Sequence, residues 1–231
     1  MLTAAWIAGL SLLGWYLWRA LIRTCERASV ADWGGKWLNR LDGLNRLFCR
    51  KFHRLRHDPL PLPAAGPAIV VANHLSGLDP LIMCAAANRP LRFMIAREEY
   101  DRWWLKWLFM GIGCIPVERS ANPRAALSAA RRALELGEVV ALFPHGRIYL
   151  DEPPTPELKR GVAHLASLAD VPVFPMRIDG IRGRGLTVVA VFLRSRALIR
   201  CFAPLWFKGR TVDEAMGELA RLISARVPLD G

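Results

Sequence analysis

The chain has 231 residues, 53% of them apolar, a net charge of +12 and a pI near 10.4. That length suits one α/β domain with an N-terminal extension, and the charge calls for an anionic partner: nucleic acid, an anionic lipid surface or a phosphate-bearing substrate. The five cysteines are odd in number and contain no CxxC pair, which excludes a disulfide scaffold and fits a reducing compartment. Nine tryptophans tilt the choice of partner toward lipid, because Trp favours the membrane–water interface.

Residues 1–27 form the first predicted element. Leu2 to Trp18 carries no charge, and Arg19, Arg23 and Arg27 follow at helical spacing. As a helix the uncharged run is roughly 25 Å long, slightly short of the ~30 Å hydrocarbon core. Two membrane readings follow, a short spanning anchor or a helix buried in one leaflet, with an ordinary core helix as the competitor. The arginines lie after the apolar run, so a signal peptide does not fit and the Arg19–Arg27 end belongs on the cytoplasmic face of the inner membrane.

Residues 33–58 form the second. Trp37, Leu41, Leu44, Phe48, Phe52 and Leu55 recur at three- and four-residue intervals, and Lys36, Arg40, Arg46, Arg50, Lys51, Arg54 and Arg56 cover the rest. The spacing predicts a basic amphipathic helix, either lying in an anionic headgroup layer or packed on the domain with its basic face solvated. Cys49, His53 and His57 share one helical face, but no fourth ligand accompanies them, so no metal site is expected.

Pro59 to Pro67 breaks the helix, and a layered α/β domain with a mixed sheet is expected over residues 66–231. Ala68–Ala72, Leu91–Ala96, Val139–Phe143, Val171–Ile178, Leu186–Leu193 and Leu198–Phe202 read as strands. Asp79–Ala87, Arg102–Met110, Asn122–Leu136, Glu157–Ala169 and Asp213–Val227 read as helices between and after them.

Four clusters carry chemistry. Asn73-His74-Leu75-Ser76-Gly77-Leu78-Asp79-Pro80 follows a buried strand and opens a helix. Across such a turn Asp79 can hold one tautomer of His74 and leave the other ring nitrogen as a general base; alternatively Asp79 only caps its helix. Gly111 to Arg119 ends on an arginine that can bind phosphate, or that simply pairs with Glu118. Phe143-Pro144-His145-Gly146-Arg147 again follows a strand. Val171-Pro172-Val173-Phe174-Pro175 is apolar and punctuated by proline.

In order and spacing these clusters resemble the glycerolipid acyltransferase family. Its NHxxxxD block is matched by Asn73, His74 and Asp79, and its GxIPVxR block by Gly113, Ile115, Pro116, Val117 and Arg119. Its FPEGTRS block keeps Phe143, Pro144 and Gly146, with His145 in place of Glu, Arg147 in place of Thr and Ile148 in place of Arg. Lys159 and Gly161 match its Lys-x-Gly segment, and Val171, Pro172, Val173 and Pro175 its VPVxP block.

The resemblance covers residues 66 to 205 and implies an O-acyltransferase with His74 as base and Asp79 as its orienter. Asn73, Arg119, His145, Gly146, Arg147 and Lys159 would hold a lysophospholipid-like acceptor and its phosphate. The co-substrate would be an acyl-CoA or acyl carrier protein thioester, with no other cofactor, and the partners would be lipids with no nucleic acid. A catalytically silent lipid-binding protein of the same fold is the alternative, and the altered block at His145 leaves the acceptor open.

Overall fold

The computed structural model describes residues 2–118, 123–149 and 157–224. Two long helices lead, α1 (Leu2–Ala28) and α2 (Lys36–Lys51). There follow β1 (Arg56–His57), β2 (Ala68–Ala72), α3 (Asp79–Ala86), β3 (Leu91–Ala96), α4 (Arg97–Tyr100), α5 (Lys106–Gly111) and β4 (Ile115–Val117). The remainder is α6 (Pro123–Glu135), β5 (Val139–Leu142), α7 (Gly161–Ala169), β6 (Val173–Asp179), α8 (Val188–Phe192), β7 (Leu198–Cys201) and α9 (Val212–Ser224).

The strands form one sheet in the order β1-β7-β6-β2-β5-β3-β4. Every pairing is parallel except the antiparallel β6–β7 pair, so the sheet is mixed, as expected. The central strands are apolar on both faces because both faces are covered. Ile69 and Val71 of β2 point into a core shared with α6, α7 and α9. Val70 and Ala72 point into the opposite core, with Leu78, Ile82 and Met83 at the start of α3. The parallel strands β2 and β5 end side by side, with Val71 level with Leu142, and their following loops open together. That carboxyl edge is where sites collect in sheets of this kind.

The N-terminal helices depart from the expected pattern. No helix among the described residues is long and apolar enough to cross a membrane, as the spanning one of the two membrane readings of residues 1–27 requires. The uncharged half of α1 is not a core helix either: Trp6, Leu10, Leu13, Trp15 and Leu17 are all exposed. Only its C-terminal end packs, where buried Cys25 meets α2 at Gly43. A methyl group on Gly43 would overlap the Cys25 carbonyl oxygen, so only glycine permits this crossing.

Helix α2 buries Asp42, Gly43, Arg46 and Cys49, whereas Trp37 and Leu44 of the apolar stripe stay exposed. Arg46 turns inward because α3 ends against it. Its guanidinium donates to Ala85 O at 2.8 Å and Ala87 O at 2.5 Å, satisfying carbonyls at the C-terminal end of that helix, and to Asp42 Oδ2 at 2.7 Å. Asp42 in turn accepts from Ser29 Oγ and the Val30 amide, fixing the α1–α2 turn.

Three further differences concern strands. Leu186–Leu193, expected as a strand, contains helix α8 with Val188, Val189 and Phe192 exposed. β6, the strand before it, already has neighbours on both sides, so no place beside that strand is open to this apolar run. β1 and β4 are edge strands of two and three residues, too short for periodicity to reveal.

Candidate active site

Asp79 is the first residue of α3 and is fully buried at the turn leaving β2. Its Oδ2 accepts the Leu75 amide at 2.5 Å, the Ser76 amide at 2.9 Å and His74 Nδ1 at 2.8 Å; its Oδ1 accepts the Ser76 hydroxyl at 3.1 Å. A carboxylate so placed can only accept, so the His74 proton sits on Nδ1 and Nε2 carries the lone pair. Among the described residues Nε2 has no hydrogen-bond partner, and the His74 side chain is 17% exposed while Asp79 is sealed. Ser76 also accepts from the Leu78 amide at 3.2 Å. It completes the turn, a role the Ser-x-x-Asp spacing of helix capping could have signalled.

The β5 loop forms the other wall. Phe143 stacks on the His74 ring, with centroids 3.9 Å apart and planes 9° from parallel. The loop returns to the first one where the Tyr149 amide donates to His74 O at 3.0 Å. Gly146 has a φ of +71°, and the Lys159 side chain crosses it so closely that a Cβ would lie 2.7 Å from Cε and Nζ. The Lys159 amide donates to Pro144 O at 2.8 Å. Gly146, Arg147 and Lys159 are therefore brought to one loop beside His74, with both cations exposed.

Two expected acceptor residues sit elsewhere. Asn73 is fully buried, and both ends of its amide are engaged by one backbone unit: Nδ2 donates to Ile178 O at 2.9 Å and Oδ1 accepts the Ile178 amide at 2.7 Å. From this buried position it clamps the end of β2 to β6. His145 is only 4% exposed, its ring 4.1 Å from Tyr149 and tilted by 42°. It packs inside the loop instead of facing a headgroup. Arg119 lies outside the described residues; its neighbour Glu118 pairs with Arg97 at 3.3 Å.

A third segment, unnoticed in the sequence, supports the catalytic loop from behind. The Gly185 amide donates to Leu75 O at 2.8 Å and the Gly77 amide to Leu186 O at 3.0 Å. Gly77 is needed there, since a Cβ would come within 2.6 Å of Thr187 O.

Four of the cysteines are held as thiols by burial. Burial pushes the Cys49, Cys114 and Cys201 thiols up to about 12 and raises Cys84 as well, which keeps them protonated at neutral pH. No group of three or more His, Cys, Asp and Glu side chains among the described residues could hold a metal. Cys49 and His53 are buried near the end of α2, while His57 lies exposed on β1.

A family model described as Acyltransferase matches residues 54–179. A probable 1-acyl-sn-glycerol-3-phosphate acyltransferase of Mycoplasma pneumoniae is 33% identical over 122 residues, which cover 50% of this chain and 45% of that protein. The 1-acyl-sn-glycerol-3-phosphate acyltransferase of Bacillus subtilis is 26% identical, with 52% and 59% covered. The N-acylphosphatidylethanolamine synthase of Arabidopsis thaliana is 30% identical, with 49% and 43% covered. The chain thus spans about half the length of the curated relatives it matches. The crystal structure of the 1-acyl-sn-glycerophosphate acyltransferase PlsC from Thermotoga maritima superposes with a TM-score of 0.60 at 19% identity, over 82% of this chain and 78% of that one. It shares the fold.

Proposed function

The chain belongs to the acyltransferase family, and from that premise we propose that it transfers a fatty acyl group from a thioester to the hydroxyl of a lysophospholipid-like acceptor in phospholipid synthesis or remodelling. The observation that carries the proposal is the His74–Asp79 pair, buried carboxylate on one side and unengaged Nε2 on the other. Nε2 takes the proton of the acceptor hydroxyl as its oxygen attacks the thioester carbonyl. Asp79 stabilises the imidazolium that results. Collapse of the tetrahedral intermediate breaks the C–S bond, and the departing thiolate takes the proton back from His74. No covalent acyl-enzyme is required, and the protonated cysteines are consistent with that route.

The donor is acyl-CoA or acylated carrier protein, and both are acidic partners suited to a chain of net charge +12. Lys159 and Arg147 are the cations nearest the base along the loop and are proposed to bind the acceptor phosphate; His145 supports that loop from inside. Two of the relatives above are named for a 1-acylglycerol phosphate acceptor and one for an N-acylated product, so the acceptor panel should span both chemistries. The exposed apolar run of α1 supports docking in one leaflet, on the cytoplasmic face of the inner membrane.

The test is transfer of labelled acyl groups by the purified chain, from each donor, to lysophosphatidic acid, other lysophospholipids and phosphatidylethanolamine. His74→Ala should lower the rate on the order of 10²–10⁴-fold with the fold intact, since the ring sits on a loop. Near-normal turnover by His74→Ala would end the mechanism.

A further inference from the structure

The segment that braces the catalytic loop carries a second feature. Arg182, Arg194 and Arg196, with Arg54 from the end of α2, line one surface cavity of about 350 Å³. Among the described residues none of these four guanidinium groups holds an ion pair or a hydrogen bond, whereas Arg92, Arg97, Arg102 and Arg210 each hold a carboxylate. No acidic residue occurs from Gly180 to Val212.

The clustering is built into the backbone. The Arg182 amide donates to Ser195 Oγ at 3.0 Å, that hydroxyl donates to Leu193 O at 3.0 Å, and the Arg196 amide donates to Gly180 O at 3.2 Å. Gly183, at a φ of +74°, lets the turn close on α8, where a Cβ would sit 2.8 Å from Leu193 Cδ1 and 3.3 Å from Ala190 Cα. Between Arg182 and Arg194, α8 presents Val188, Val189 and Phe192 outward, the last 70% exposed. Unpaired arginines beside protruding apolar side chains match a phosphate layer lying over hydrocarbon.

We propose that residues 182–196 form a membrane-docking element separate from α1. Its arginines hold the phosphates of an anionic lipid surface, and Val189 and Phe192 enter the acyl layer. The element is hydrogen-bonded to the catalytic loop through Gly185–Leu75 and Gly77–Leu186, and to α2 through His53 and Val191 O at 3.1 Å. Docking would therefore seat the membrane surface directly beside His74. The proposal rests on the membrane part of the functional reading and not on acyl transfer.

The test uses the full chain and vesicle flotation, comparing phosphatidylcholine alone with phosphatidylcholine plus phosphatidylglycerol. The triple variant Arg182→Gln, Arg194→Gln, Arg196→Gln should bind the anionic vesicles roughly 10- to 100-fold more weakly, given what each arginine contributes at such a surface. Its binding to neutral vesicles should not change. The corresponding triple lysine variant should restore most of the loss. Phe192→Ser should weaken binding to both vesicle types, and salt should not remove that difference.

Transfer to a detergent-dispersed acceptor should survive in every variant, so failed docking and failed chemistry are read separately. Unchanged flotation of the triple glutamine variant would overturn the proposal. So would an equal loss on removing Arg131, Arg132 and Arg221 from helices on the far face of the sheet, which would reduce the effect to net charge. A glutamine variant that floats normally but loses only transfer from acylated carrier protein would assign the arginines to that protein instead.

Discussion

Of the two loops that meet at His74, one is held through buried side-chain hydrogen bonds and the other through backbone hydrogen bonds and ring packing. Leaving β2, Asn73, Ser76 and Asp79 are all buried and all satisfied, and they lock one ring nitrogen of His74. Leaving β5, Phe143 stacks on that ring, His145 packs on Tyr149, and the exposed Lys159 crosses Gly146 beside the exposed Arg147. A directional network tolerates few substitutions, because each partner removed strands a buried polar group. A packed loop tolerates any side chain that fills the space. The contrast accounts for an intact NHxxxxD block beside an FPxG block that differs from FPEGTRS at four positions, His145, Arg147, Ile148 and Tyr149: the first fixes where a proton goes, the second where a loop and its cations lie.

Asp79→Asn attacks the first loop at its centre. Turned with its oxygen toward His74 the amide keeps the three N–H donors but not the negative charge that stabilises the imidazolium; turned the other way its NH2 faces those donors, and the tautomer and the loop geometry are lost together. Transfer should fall on the order of 10²–10⁴-fold, with about 1–3 kcal/mol lost from stability as buried donors go unpaired. Single-turnover rates and urea titration check both; full activity would show that the network is not what holds the base.

The second loop should respond in two distinguishable ways. His145→Ala opens a cavity, so it should lower the melting temperature and reduce transfer to all acceptors alike, at a cost of roughly 1–3 kcal/mol. Arg147→Ala and Lys159→Ala should instead raise the acceptor KM several-fold, with kcat largely kept and stability within about 0.5 kcal/mol. An acceptor-selective effect of His145→Ala would return that ring to the binding surface.

A third histidine sharpens the comparison. His53 is buried with no carboxylate: Nε2 meets Val191 O, and Nδ1 has no partner among the described residues. Burial lowers its pKa below 6.5. The unfolded chain then binds the proton more readily than the folded one, so stability should be full above about pH 6.5 and decline as pH falls below it. Melting temperatures across that range should flatten in His53→Gln.

The strands that could be read from sequence are the interior ones, β2, β3, β5, β6 and β7, because they are four to seven residues long and mostly apolar. Leu186–Leu193 has the same composition and is not a strand, since a short apolar run is decided by which sheet edge is free. His74 and Asp79 were readable because their chemistry requires that spacing. Asn73 and His145 were not, because Asn73 is claimed by Ile178, 105 positions away, and His145 by Tyr149 across a fold in the loop. Arg46 was misread for the same reason: no local pattern reveals that its partners are the last carbonyls of α3.

The crossing at Gly43 makes a lever of the N-terminal helices. α1 bears on α2 at a point where no side chain can act as a cushion, α2 bolts to the tail of α3 through Arg46, and the head of α3 is Asp79. The contacts at Gly43 and Arg46 thus join α1 to the helix that carries the carboxylate aiming His74. Gly43→Ala would therefore act at a distance, shifting the resting angle of the whole arm without touching a substrate. Were α1 to dock as proposed, lengthening or shortening its apolar run would change the height at which the base meets the bilayer.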